Sequence, residues 1–133
     1  MTPTVRDATD EDVTDVERLA AVPRAAAERL VRERRVRVAD GDGETVGLVA
    51  YEADRNAVHV THLAGDADAA AALLDEPVSF ARAERLPVEA VVPESEDGAL
   101  DAVTAAGFES VGDGPRFAGE PTTRYRLTVD GND

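Results

Sequence analysis

The sequence contains no cysteine, no lysine and no tryptophan, and these absences narrow its chemistry before any motif is considered. Without cysteine there can be no disulfide, no thiolate nucleophile and no thiolate metal site. Aromatic residues are only 4% of the chain, so the core has to be built from Val, Leu and Ala. No apolar run approaches the ~20 residues that a membrane span needs. The first dozen residues, Met1 to Asp12, are polar and acidic and carry no signal-peptide pattern. The expectation is a soluble, cytoplasmic chain. No basic stripe is available to meet phosphates, so sequence-independent nucleic-acid binding is excluded.

What the chain does have is acid. Asp and Glu total 28 against 14 basic residues, all of them Arg, for a formal charge of −14 over 133 residues. Such a charge strains the compact state by self-repulsion at low salt. At molar salt the Debye length falls to roughly 3 Å and the same surface becomes tolerable. Arginine keeps its charge and binds carboxylates bidentately, which suits an acid-rich surface. The composition reads as adaptation to a halophilic cytoplasm. Disorder is excluded because apolar residues make up 43% of the chain and recur periodically. The length suits one domain over residues 1–133, with residues 130–133 expected to fray.

Periodicity gives the layout. Val5 to Ala8 reads as a strand, after which Thr9 and Asp12 stand three apart as a capping box. Val13, Val16, Leu19 and Ala20 follow at helical spacing. Pro23 opens a second helix with Ala26, Ala27, Leu30 and Val31 inward, and Glu28 and Arg32 outside as an i,i+4 pair. Three strands then form an antiparallel meander: Val36 to Asp40, Thr45 to Ala53 and Ala57 to Ala64, with turns at 40–43 and 54–56. An Ala-rich helix carries Ala70, Leu73, Leu74, Val78 and Ala81 on one face, and Pro77 predicts a kink or a split within it. Val88 to Val92 is a short buried strand. Asp97 to Ala106 is a last helix, closed by Gly107 at the C′ position with Phe108 beyond it. Residues 112–121 read as a loop. Glu109 to Gly112 pairs with Arg124 to Val129, where Tyr125, Leu127 and Val129 face inward.

The order is β-α-α-β-β-β-α-β-α-β-β, an α/β (α+β) class with a mixed, mainly antiparallel sheet flanked by helices. With that order, the opening Val5-Arg6-Asp7-Ala8-Thr9-Asp10-Glu11-Asp12, the segment Gly47-Leu48-Val49-Ala50 and the run Ala105-Ala106-Gly107-Phe108 resemble the GNAT (Gcn5-related N-acetyltransferase) superfamily over nearly the whole chain. The resemblance implies transfer of an acyl group from acetyl-CoA or another acyl-CoA to a small amine or a protein N-terminus. It implies that the third meander strand splays from Val88–Val92, with pantetheine along Thr61, His62, Leu63 and Ala64. By position, the cofactor-binding residues are then Leu63, Ala64, Gly65, Asp66, Asp68, Ala69 and Ala70.

The residues depart from the family's phosphate loop, in which bare backbone N–H groups and glycines meet an anion at a helix start. Gly65 stands where an Arg or Gln is usual and Asp68 where the first glycine is usual; Ala70 alone fits. Asp66 and Asp68 can cap the helix themselves, with carboxylates on the donors a phosphate would use. The Tyr that protonates the leaving thiolate in the family is replaced by Val103, a core residue by pattern, and Pro93-Glu94-Ser95 replaces a frequent Asn. The remaining candidate base is His62, nearest the expected thioester, with Tyr51 and Glu52 as further polar candidates. An odd spacing puts His59 and His62 on opposite faces of one strand, which leaves no metal site. Two functions stay open: an acyl-CoA-dependent N-acyltransferase, and a GNAT-like binding or assembly module that has lost its cofactor. The oligomeric state is open, a homodimer included.

Overall fold

The computed structural model describes residues 3–116 and 119–128. Strand β1 (Thr4–Asp7) leads through a 3₁₀ turn (Asp10–Asp12) into α1 (Val13–Ala20) and then α2 (Arg24–Glu33). The meander is β2 (Arg35–Gly41), β3 (Glu44–Ala53) and β4 (Val58–Ala64). Helix α3 (Ala67–Glu84), β5 (Val88–Pro93), α4 (Asp97–Ala105), β6 (Glu109–Asp113) and β7 (Thr122–Leu127) complete the order. Every element expected from the sequence is present, in the expected succession. Val129 and residues 130–133, the expected tail, lie outside the described residues.

The seven strands form one sheet in the order β1-β2-β3-β4-β5-β7-β6, and only the β4/β5 pair is parallel. Helices cover both faces. On one, Val13, Val16 and Ala27 of α1 and α2 pack on Val36, Val38, Leu48 and Ala50. On the other, Leu73, Leu74 and Ala81 of α3 and Ala99, Ala102 and Val103 of α4 pack on Val49, Tyr51, Val60, Leu63 and Ala90. Val103 is fully buried there, as its pattern indicated. The core is made of small aliphatic side chains, as the scarcity of aromatics required.

The caps act as the sequence indicated. The Thr9 side chain accepts from the Glu11 N–H, and the Asp12 carboxylate accepts from the Thr9 N–H at 2.8 Å, a reciprocal capping box. The end of α4 is a Schellman motif: Gly107 takes φ +95°, its N–H reaches the Thr104 carbonyl at 3.1 Å, and the Phe108 N–H reaches Val103 at 3.0 Å. Asp42 and Gly43 turn between β2 and β3 with φ of 54° and 83°, the left-handed pair of a tight hairpin. Asp54 organises the next turn by accepting from the N–H groups of Asn56 and Ala57.

Of the two outcomes expected at Pro77 the split does not occur, and one expected ion pair is replaced by another. Helix α3 is not split: it runs for 18 residues with Pro77 buried inside it. A proline removes one i→i−4 bond, and burial of Leu73, Leu74, Pro77 and Ala81 against the sheet outweighs that loss. The Glu28/Arg32 pair is not formed; Arg29 and Glu33 make the i,i+4 contact instead, at 3.8 Å between exposed groups.

Candidate functional site

The site originates in an irregularity of β4. Along the β3/β4 ladder Ala50 faces His62 but Tyr51 faces Val60, so Thr61 is an extra residue in β4. A bulge of this kind bends its strand and increases the local twist. The parallel ladder to β5 consists of Val58↔Val88, His59↔Glu89 and Val60↔Ala90, and it stops at the bulge. Beyond it, β5 continues to pair with β7 as far as Pro93↔Thr122. Strands β4 and β5 therefore diverge from Thr61 onward, as the resemblance implied.

The bulge also overturns the expectation that His59 and His62 lie on opposite faces. Directly paired residues share a face. His62 pairs with Ala50 and His59 with Glu52, both on the side of α1 and α2, while Tyr51, Val60 and Leu63 belong to the α3 side. Alternation over three residues is cancelled by the inserted Thr61. Among the described residues, no group of three or more His, Cys, Asp or Glu could hold a metal ion.

A cleft of about 540 Å³ opens at the divergence. Thr61 to Ala64 form one wall and Leu19 to Pro23, the turn between α1 and α2, an apolar wall opposite. Pro93 and Glu96 close it from β5 and α4, and Arg116 and Glu120 from the β6–β7 connection. The two connections are tied together, because the Ser95 N–H donates to Glu120 at 3.0 Å and the Glu94 N–H to the Pro121 carbonyl at 3.1 Å. The tight turn after α1 places Ala21 in the left-handed region at φ 55°.

His62 lies at the centre of this geometry. It borders the cleft and also a smaller hollow of about 180 Å³ along α2, lined by Val22, Leu30 and Arg34 among others. Its Nδ1 is 3.1 Å from the Thr61 hydroxyl, which in turn donates to the Ala50 carbonyl. Burial lowers the His62 pKa, and the neighbouring Arg34 lowers it further. Both effects favour the neutral form of the imidazole. Glu96, half-buried in the same cleft, is shifted the other way: burial raises its pKa, and the charges of Glu120 and Asp97 add to the rise. The cleft thus holds a carboxyl group with a raised pKa and an imidazole with a lowered one, both common where protons are transferred.

The other polar candidates are committed elsewhere. The Tyr51 hydroxyl donates to Glu76 at 2.6 Å across the α3 face, and burial pushes its pKa up to about 12. Glu52 is paired with Arg34. His59 sits 3.0 Å from Asp54 at the far end of β4. Sequence reading missed Glu96, Glu120 and Arg116, because single acids carry little information in so acidic a chain.

The residues expected to hold a cofactor do not converge on one place. His62, Leu63 and Ala64 line the cleft. Gly65 follows at φ +133°, a backbone that favours glycine, packed against Gly47 and Ala69. Asp66 caps α3, accepting from the Ala69 N–H at 2.9 Å, while the Ala70 N–H donates to the Asp66 carbonyl at 2.9 Å. Asp66, Asp68 and Ala69 border a separate hollow of about 270 Å³, shared with Asp42 of the hairpin. The side chain of Ala70 is fully buried in the core. Gly98 of α4 lies against the loop that joins β4 to α3. A Cβ built on it would overlap the Gly65 carbonyl oxygen and stand 2.7 Å from the Asp66 Cα, so the starts of α3 and α4 meet backbone to backbone.

This fold can be compared with solved structures. Ard1 from Thermoplasma volcanium matches with a TM-score of 0.76 at 20% identity, over 97% of this chain and 99% of that one. An N-acetyltransferase from Staphylococcus aureus Mu50 matches with a TM-score of 0.74 at 12% identity, over 98% of each chain. A Bacillus subtilis acetyltransferase in complex with CoA matches with a TM-score of 0.68 at 13% identity, over 96% of this chain and 99% of that one. The fold is the GNAT acetyltransferase fold. No protein-family model matches the sequence, and no curated protein matches it. The GNAT likeness is one of architecture.

The fit of a CoA-type thioester can be tested on these residues. Among the described residues the ladder to β5 ends at Val60↔Ala90, so Thr61 to Ala64 run on beyond it along the cleft, where the amides of a pantetheine arm could align. At the start of α3 the Ala69 N–H is taken by the Asp66 carboxylate, and Gly98 abuts the preceding loop, so this helix start offers an anion one donor fewer than an uncapped one.

Proposed function

We propose that this chain is an N-acyltransferase that moves an acyl group from a CoA-type thioester to an amine. The observation that carries the reading is that the cleft begins where β4 and β5 part, at Thr61. Two of the solved structures of this fold named above are acetyltransferases, and one of these was determined with CoA. The thioester supplies an activated acyl carbonyl. The chain supplies the edge of Thr61 to Ala64 beyond the β5 ladder to align the arm, the apolar Leu19–Pro23 wall to exclude water, and one proton acceptor. An acceptor amine binds as an ammonium and has to lose a proton before its nitrogen can attack. His62, whose neutral form is favoured, is placed to take it, with Glu96 and Glu120 attracting the cation. Holding two reactants in register can supply much of such a rate by itself.

A second reading, a binding or assembly module that has lost the cofactor, is favoured by the Asp66 cap and the Gly98 contact. Thermal denaturation with acetyl-CoA in 2 M KCl separates the two. Ligand at 100 times its Kd stabilises the fold by about 2.7 kcal/mol. No shift with millimolar acetyl-CoA or acetyl-pantetheine would leave only the second reading. If a shift is seen, single-turnover acyl transfer should fall by ~10²-fold or more in His62→Ala. The acid limb of the wild-type pH profile should lie below pH ~6.5, because the His62 pKa is lowered. A limb above that value would remove His62 as the base.

A further inference from the structure

We infer that Thr61 is a positioning residue: its hydroxyl holds the proton of the neutral His62 ring on Nδ1, so that Nε2 is the nitrogen that receives a proton from the acceptor. The role of Nε2 rests on the acyltransferase reading; the place of the ring proton does not. The Thr61 hydroxyl lies 3.3 Å from the Ala50 carbonyl oxygen and 3.1 Å from His62 Nδ1. A carbonyl oxygen has no proton to give, so the hydroxyl is the donor to Ala50. A hydroxyl has one proton, and with that proton on Ala50 only its lone pairs are left to meet Nδ1. Nδ1 therefore carries the ring proton, and in a neutral imidazole the lone pair falls to Nε2. The reverse tautomer turns the hydroxyl proton toward Nδ1 and leaves the oxygens of Thr61 and Ala50 at 3.3 Å with no proton between them. The assignment concerns Nδ1 and holds with a donor at Nε2 as well as without one.

The bulge is what brings these groups together. In a regular strand neighbouring side chains point to opposite faces, and a hydroxyl does not meet the ring of the next residue. Thr61 is the surplus residue of β4, inserted where Ala50 faces His62 and Tyr51 faces Val60. The alternation lapses at such a bulge, and the Thr61 hydroxyl comes within hydrogen-bonding reach of the adjacent ring. One residue thus follows the last pair of the β5 ladder and orients the imidazole that borders the cleft. The step assigned to Nε2 is a single proton transfer. An N–H bond of the acceptor ammonium breaks, an Nε2–H bond forms, and the electron pair stays on the amine nitrogen. The bond from Nδ1–H to Thr61 survives in the imidazolium, both of whose nitrogens are donors, and the proton on Nε2 then passes to solvent.

The test compares Thr61→Val, which keeps the branched shape and removes the hydroxyl, with Thr61→Ser, which keeps the hydroxyl and removes the methyl. Ring nitrogen NMR shifts of the intact chain at about pH 8, above the usual histidine pKa of ~6.5, tell a nitrogen that bears a proton from one that bears a lone pair. The chain has two histidines, and His59→Gln leaves His62 alone in the spectrum. The proton should sit on Nδ1 in the wild type and in Thr61→Ser. In Thr61→Val the balance should move toward the Nε2–H form by about three- to tenfold, the effect of one hydrogen bond. Single-turnover acyl transfer from acetyl-CoA should fall by about three- to tenfold in Thr61→Val and by less than about twofold in Thr61→Ser. A residue acting by shape alone gives the opposite order, with Thr61→Val near wild type and Thr61→Ser impaired, and that result would overturn the inference. So would an Nε2–H ring in the wild type, which leaves the acyltransferase reading standing. No acyl transfer by the wild type would remove that reading and with it the role of Nε2, and the shifts would still decide where Thr61 places the ring proton.

Discussion

The side chain of Arg6 joins three parts of the chain that are far apart in sequence. Its Nη1 and Nη2 meet the two oxygens of Asp12 at 2.9 and 2.8 Å, and its Nε meets Asp40 of β2 at 2.6 Å. Asp12 is 5% exposed, and the Arg6 guanidinium, with the Thr9 N–H, holds its carboxyl at about 2, well below the usual carboxylate range. The folded state therefore resists protonating Asp12 more than the unfolded chain does. Stability from this group is complete above pH ~4, the unfolded value, and is lost as pH falls toward 2. Asp12→Asn should cost about 1–3 kcal/mol in urea unfolding at pH 7 and should flatten the decline between pH 4 and 2. An unchanged decline in the variant would place the acid sensitivity on other carboxylates.

At the scale of elements, the contact between α3 and α4 has a consequence of definite sign. Gly→Ala inside an exposed helix usually stabilises by about 1 kcal/mol. At Gly98 the added methyl meets the Gly65 carbonyl and the Asp66 backbone, and relieving such an overlap typically costs 1–3 kcal/mol. Gly98→Ala should thus lower stability by about 1–2 kcal/mol in denaturant unfolding. A gain would mean that α4 stands clear of the loop. The elements themselves were readable in the sequence because their ends are local chemistry: Thr9 with Asp12, Asp54 with its two N–H donors, Gly107 with Phe108. The bulge was not readable. Thr61 is as ordinary a strand residue as its neighbours, and only pairing with β3 shows that it is surplus. Glu96 and Glu120 were hidden for a different reason. They are brought together by the Ser95–Glu120 bond, which joins loops 25 residues apart and has no counterpart in any local pattern. At Pro77 the local cost was visible in the sequence, and the burial that keeps α3 in one piece was not.

Over the whole molecule, charge dominates. The ion pairs among the described residues that involve Arg18, Arg24 and Arg29 are exposed and contribute little each. They leave the formal −14 largely unbalanced. Self-repulsion of this size should make stability depend on salt, as the halophilic reading of the composition proposes. Raising KCl from 0.1 to 2 M should raise Tm by roughly 5 °C or more, at about 2–8 °C for each kcal/mol in domains near this size. A flat response in differential scanning calorimetry would remove that reading, and with it the case for assaying the chain in brine.

The three-pair ladder between β4 and β5 also bears on how the sheet can deform. Strands β1 to β4 form one continuous raft and β5, β7 and β6 another, and the only sheet bonds between them run from Val58↔Val88 to Val60↔Ala90. The ladder is confined to one end, so the rafts meet as two covers of a book meet at a spine. Widening the cleft means turning the covers about that spine. Such a rotation breaks no hydrogen bond within either raft, but it works against the one core in which Leu73 of α3 and Val103 of α4 pack with Val49 and Val60 of the first raft and Ala90 and Val92 of the second.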